Sequence, residues 1–190
     1  MQGWWAASYV VLWLIVALLC ATVVALARQV GTLHLRLGPR GALELDDEGP
    51  PLGGGLDPVE LTDLDGDPVT IAARGEAQLL LFVSPGCSVC EQVLPAVAAI
   101  ADDGGMAPYV LSDAGLEDTA RSLGGRRLRA PLVPAAGFAR SLEVPGTPYA
   151  LVLDRDGIVR AKGTPNNLEQ VEGLADTARR RLRVSAGRAA

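Results

Sequence analysis

The chain has 190 residues, enough for one compact domain plus an appendage, since domains commonly run ~100–200 residues. Its net charge is −5 and its pI near 4.9, which exclude a nucleic-acid backbone as the main partner. Three cysteines cannot form a multi-bridge scaffold, so the soluble part must fold on an apolar core.

From Trp4 to Ala27 the run WWAASYVVLWLIVALLCATVVALA carries no charge. At ~1.5 Å rise per residue a helix of that length covers ~36 Å, which spans a ~30 Å hydrocarbon core with tilt. Trp4 and Trp5 suit an interfacial aromatic belt, and Arg28 closes the other end. A cleaved signal peptide is the rival reading. MQG supplies no positive n-region, however, and the apolar run is too long for an ordinary h-region. Residues 1–28 are therefore expected to be an uncleaved anchor in the lipid bilayer, with Cys20 a packing residue inside it. His34, the single histidine, has no Cys, Asp or Glu within helical reach and reads as solvated rather than metal-bound. Glycine and proline density after Leu37 ends any regular element, so residues 29–55 read as a juxtamembrane segment and linker.

Residues 56–184 show short apolar runs alternating with amphipathic segments, followed by a tail at 185–190. A hairpin is expected at 59–71, turning at DGD, and QLLLFV at 78–83 reads as a strand buried on both faces. Residues 88–101 have helical spacing, with Pro95 set to kink the helix. A second core strand at 107–113 precedes a short helix at 116–125 that glycines close. A small strand near Leu132 and Val133, a short helix at Gly137–Leu142 and two strands within 149–163 follow. The final helix spans 166–182, capped by Asn166 or Asn167. The order predicts an α/β domain, a mixed sheet with helices on both faces.

The stretch SPGCSVC places two of the three cysteines, Cys87 and Cys90, where the core strand gives way to a helix. Residues three apart on a helix share a face at ~5–6 Å between Cβ atoms, so a small adjustment brings them within disulfide reach. The unpaired N–H groups of the helix start favour a thiolate on Cys87, making it the nucleophile, and Cys90 would resolve the mixed disulfide. No metal site is expected, because zinc needs four ligands and only Cys20 and His34 remain. Haem attachment needs a histidine after the second cysteine, and Glu91 stands there. A peroxidatic cysteine is the nearer rival, but Leu80 occupies the position where its motif places a proline. Further along, VPGTPY enters the strand ALVLD, and Thr147-Pro148 resembles the cis-proline loop of thioredoxins. There the backbone pairs with an incoming peptide beside the disulfide.

Together these segments resemble MauD, the membrane-anchored thioredoxin-like family of methylamine utilisation. The resemblance covers nearly the whole chain: the anchor running into ALARQVGTLHLRLGPRGAL, LTDLDGDPVT, LLLFVSPGCSVC, VLSDAG and PYALVLDRDGIVRAKGTPNNLEQVE. The juxtamembrane run is its most specific part. It implies a thioredoxin-like fold without a cofactor, carried on an N-terminal transmembrane helix. It also implies a thiol–disulfide oxidoreductase that forms or rearranges disulfides in an exported cysteine-containing client, by family analogy the methylamine dehydrogenase small subunit. A membrane redox partner would recharge the cysteine pair. The sequence departs from thioredoxins at three places. Leu81 stands where they bury an aspartate, Gly86 replaces the tryptophan before the first cysteine, and Ser88-Val89 lies between the cysteines. The alternatives are a membrane-tethered peptide-binding or chaperone module without redox turnover, and a thiol peroxidase.

Topology signals conflict. No Arg or Lys precedes Trp4, whereas Arg28, Arg36 and Arg40 follow the apolar run, which favours a cytoplasmic domain. Disulfides persist only in oxidising compartments, which favours the outside. The expectation is a single-pass protein of the cell membrane with an extracytoplasmic domain.

Overall fold

The computed structural model describes residues 2–36 and 48–188. Two compact units emerge, Met1–Gly38 and Pro39–Ala190. The first is one helix, α1 (Gln2–Arg36), running beyond the anchor expected over residues 1–28 into the juxtamembrane segment. Within it Gly3–Val24 has a mean hydropathy of 2.5, long and apolar enough to cross a membrane. Its Trp, Leu, Ile and Val side chains are exposed, and apolar surface all round a helix suits lipid rather than water. His34 lies in α1, its side chain outside the described residues, as do positions 37–47 of the juxtamembrane segment.

The second unit is an α/β domain. An antiparallel hairpin, β1 (Val59–Thr62) and β2 (Pro68–Ile71), turns where Asp63 accepts the N–H groups of Asp65 and Asp67. Five further strands form the main sheet: β3 (Gln78–Val83), β4 (Ala107–Ser112), β5 (Leu132–Pro134), β6 (Tyr149–Leu153) and β7 (Val159–Gly163). Their order is β5-β4-β3-β6-β7. β3, β4 and β5 run parallel, while β6 and β7 are antiparallel to their neighbours. β3 sits at the centre, and all six of its residues are buried, as its unbroken apolar run requires.

Helices cover both faces, and strand alternation assigns each residue to one. Leu79, Leu81 and Val83 pack with Val93, Val97, Ile100 and Leu174. These come from α2 (Ser88–Val93), α3 (Pro95–Asp103) and α6 (Leu168–Arg188). Leu80 and Phe82 face Tyr149, Leu151 and Ala139, the last from α5 (Ala136–Ser141). α4 (Leu116–Leu123) follows β4. The helix expected over 88–101 is two helices meeting at Leu94, because Pro95 starts the second and cannot donate back into the first. α6 is capped by Asn167, whose side chain accepts the Gln170 N–H at 2.9 Å, while Gln170 reaches back to the Asn166 N–H at 2.6 Å. It continues through Arg188, into the residues read as a tail.

The domain's contacts begin upstream of Leu56. The Gly53 N–H donates to the Val159 carbonyl and the Val159 N–H to that of Gly54, both at 2.9 Å, laying this segment along β7. The Glu48 carbonyl oxygen accepts from the Tyr149 hydroxyl at 3.1 Å and from buried Lys162 at 2.9 Å. Gln78 ties hairpin to sheet, accepting the Ala72 N–H at 2.7 Å and donating to the Thr70 carbonyl at 3.0 Å.

Candidate active site

β3 ends at Val83, and the chain reverses through Ser84-Pro85-Gly86-Cys87 before α2 begins. The Cys87 N–H returns to the Ser84 carbonyl at 3.3 Å, and Gly86 has φ +76°. That is a turn with proline second and a left-handed residue third, a position where any Cβ is disfavoured. Gly86 therefore stands where thioredoxins carry tryptophan for a local backbone reason.

The turn delivers Cys87 as the N-cap of α2, in extended geometry. Its Sγ accepts the Cys90 N–H at 3.1 Å, so a thiolate there would meet a helix-start donor already aimed at it. Cys87 and Cys90 are joined as a disulfide with Cα atoms 5.2 Å apart. The two sulfurs differ in access. Cys87 is partly exposed, whereas Cys90 is 2% exposed and packed in the helix-side core with Leu81, Val83 and Val93. Cys87 is therefore the more accessible of the two. Leu81 is fully buried and apolar, so this side of the pair holds no carboxylate at that position.

The Thr147–Pro148 peptide bond is cis. It sets the Thr147 carbonyl oxygen 3.9 Å from Cys87 Sγ, with Thr147 partly exposed and Pro148 buried. The structure thus brings together all four residues singled out in the sequence: Cys87, Cys90, Thr147 and Pro148.

Two more residues belong to this cluster. Ser84 Oγ donates to the Asp113 carboxylate and lies 2.7 Å from Thr147 Oγ1. Their meeting follows from strand register. Val83 lies beside Ser112 in the parallel β3–β4 pair, so one residue further on Ser84 lies beside Asp113. Phe82 faces Tyr149 in the antiparallel β3–β6 pair, so two residues outward Ser84 faces Thr147. Asp113, Ser84 and Thr147 form one row across three strand ends. Sequence alone gave only a faint signal for Ser84 and Asp113, a polar residue directly after β3 and after β4, because strand order decides which loops meet.

No protein-family model matches the chain. Among solved structures, it is similar to a thio-disulfide isomerase from Thermus thermophilus, with a TM-score of 0.54 and 25% identity, covering 67% of this chain and 96% of that one. It is also similar to the exposed lipoprotein thioredoxin of Streptococcus pneumoniae, with a TM-score of 0.57 and 18% identity over 65% of this chain and 99% of that one. The second likeness establishes the thioredoxin-like fold alone. Sequence relatives reach further. The methylamine utilization protein MauD of Paracoccus denitrificans is 35% identical, covering 94% of this chain and 91% of its own length. The protein of the same name from Methylobacillus flagellatus is 34% identical over 94% and 88% respectively. With this identity over nearly full length, the thioredoxin-like fold and a cysteine pair at its strand-to-helix turn, the chain belongs to the MauD family, as a thiol–disulfide oxidoreductase.

Proposed function

We propose that the protein is a membrane-tethered oxidoreductase in which Cys87 is the attacking and attacked sulfur, Cys90 resolves, and Thr147-Pro148 docks the client chain. The observation that carries this reading is the asymmetry of the pair: Cys87 is partly exposed beside the Thr147 carbonyl, and Cys90 is closed into the core. In the oxidising direction a client thiolate attacks Cys87 Sγ, the Cys87–Cys90 bond breaks, and Cys90 leaves as a thiolate that takes up a proton. A second client thiolate then attacks the client sulfur of the mixed disulfide and releases Cys87. The client loses two electrons and the cysteine pair gains them. Run backwards, the same steps reduce, and in alternation they isomerise. A membrane redox partner resets the pair, accepting two electrons from the dithiol in the oxidising direction or donating two to the disulfide in the reducing one.

The client is an exported protein with several disulfides, and the family resemblance implies the methylamine dehydrogenase small subunit. The test is a Cys90→Ser variant expressed beside that subunit. Cys87 should accumulate in a mixed disulfide with it, identified by mass spectrometry. Maturation of the subunit by a variant lacking both cysteines would instead assign the protein to peptide-binding assembly without redox turnover.

The domain is proposed to face the oxidising side of the membrane, with α1 as a single-pass anchor. Disulfide chemistry outweighs the charge bias of Arg28, Arg36 and Arg40, because that bias orients an anchor only as a tendency. A membrane-impermeant maleimide applied to intact, gently reduced cells should label Cys87 without lysis. Labelling only after lysis would put the domain in the cytoplasm.

A further inference from the structure

Ser84, Asp113 and Thr147 come from three separate loops and converge beside Cys87. A carboxylate only accepts hydrogen bonds, so the Ser84 proton is committed to Asp113. Ser84 Oγ then acts as acceptor toward Thr147, and the Thr147 hydroxyl must donate to it across 2.7 Å. The direction of every bond in the row is thereby set by one exposed carboxylate. Thr147 is the residue whose carbonyl oxygen lies 3.9 Å from Cys87 Sγ, so a rotation of Thr147 moves that carbonyl with it.

We propose that Asp113 is a positioning residue for client docking. Through the Ser84 hydroxyl it fixes the Thr147 side chain, and with it the loop segment that presents the Thr147 backbone beside the disulfide. The Thr147 hydroxyl is consumed within the protein, so client recognition at this residue falls to its backbone. Because the bond row needs an acceptor at position 113 and not a charge, an amide there should serve nearly as well. This inference rests on the reading of Thr147 as the docking residue.

The experiment uses the oxidised full chain in detergent, with Cys20→Ser to remove the third thiol. Reduction of its disulfide is followed with a dithiol peptide and, separately, with dithiothreitol, which needs no docking. In Asp113→Ala the KM for peptide should rise about fivefold to tenfold, the scale of one ordinary net hydrogen bond, with kcat within about twofold. Asp113→Asn should restore the wild-type KM, Ser84→Ala should match Asp113→Ala, and dithiothreitol rates should stay unchanged throughout. Equal slowing with peptide and dithiothreitol would overturn the proposal, since Asp113 would then act on the cysteines. An Asn variant as defective as Ala would overturn it as well, and so would no change in either. Failure of the docking reading looks different: the wild-type protein would react with peptide without saturation. In that case amide hydrogen exchange still reads the positioning role. Residues 143–147 should exchange faster in Asp113→Ala than in wild type or Asp113→Asn, and equal exchange in all three would refute it.

Discussion

Replacing Leu81 by aspartate would put a carboxyl group beside Cys90, where thioredoxins keep one, and its effect follows from the burial of both residues. Leu81 is fully buried and shares a core with Cys90, Val83, Val93 and Ala150. When Cys90 attacks a mixed disulfide on Cys87 it must first lose its proton, and at 2% exposure little water is available to take it. A carboxylate at position 81 supplies an acceptor within the same cluster. Positioned general bases contribute ~10²–10⁴-fold. A newly introduced group is not pre-aimed, so the gain expected here is about tenfold at neutral pH. The stability cost combines about 1.5–3 kcal/mol of lost leucine burial with about 1–3 kcal/mol for enclosing a polar group. The sum takes up much of an ordinary domain's ~5–15 kcal/mol, so the variant must be shown folded by circular dichroism before its rates are read. The assay is stopped-flow reaction of reduced protein, carrying Cys20→Ser, with a chromogenic aromatic disulfide. Its first release of coloured thiol reports attack by Cys87, and its second, first-order in protein, reports resolution by Cys90. Only the second phase should accelerate, and its rise with pH should flatten. A folded Leu81→Asp protein with an unchanged second phase would refute the reasoning, and would mean that water or another group already removes the proton.

Sub-stoichiometric alkylation of the reduced protein should label Cys87 over Cys90 on peptide mapping, because Cys87 is the more exposed and meets the Cys90 N–H; equal labelling would sink the assignment of nucleophile. Burial, with the nearby Glu48 charge adding to it, pushes the Tyr149 hydroxyl up from 10.0 to about 12. Its protonated form therefore stabilises the fold fully below pH 10 and loses that contribution as pH rises toward about 12. A Tyr149→Phe variant should be less stable than wild type at neutral pH and lose less between those limits, as measured by urea midpoints. Burial pushes the Asp154 carboxyl up, but the N–H groups of Ile158 and Asp156 and the Arg160 guanidinium outweigh it and hold the group below 3.8. Its contribution is present above 3.8 and lost as pH falls through the lower folded value. Asp154→Asn should thus cost about 1–2 kcal/mol at neutral pH, and the gap from wild type should narrow in acid.

What the sequence made legible was whatever depends on local chemistry. The uncharged run of α1, the wholly apolar β3, Pro95 between two helices and Pro85-Gly86 before Cys87 each announce themselves through spacing or residue type. The cysteine pair and Thr147-Pro148 belong to this class, because each is a short motif whose meaning survives without knowledge of its neighbours. Pairing between distant strands is a different kind of information. That Asp113, Ser84 and Thr147 form a row depends on β3 lying between β4 and β6, with one partner parallel and the other antiparallel. A shift of one residue in either register would send one of the three side chains to the opposite face of the sheet. The same holds at Tyr149, which reads in sequence as the first residue of a strand. In the fold its hydroxyl meets the Glu48 carbonyl 101 residues earlier, and a Cβ at Gly49 would sit 2.6 Å from that hydroxyl oxygen. Tyr149 directly follows Pro148, and its bond to Glu48 joins residue 48 to the strand that follows Thr147-Pro148. The site is therefore held from two directions, by Asp113 through Ser84 on one side of Thr147 and by Glu48 through Tyr149 on the other. The first is a product of strand register and the second of a contact between residues 101 apart in sequence, and neither belongs to a motif.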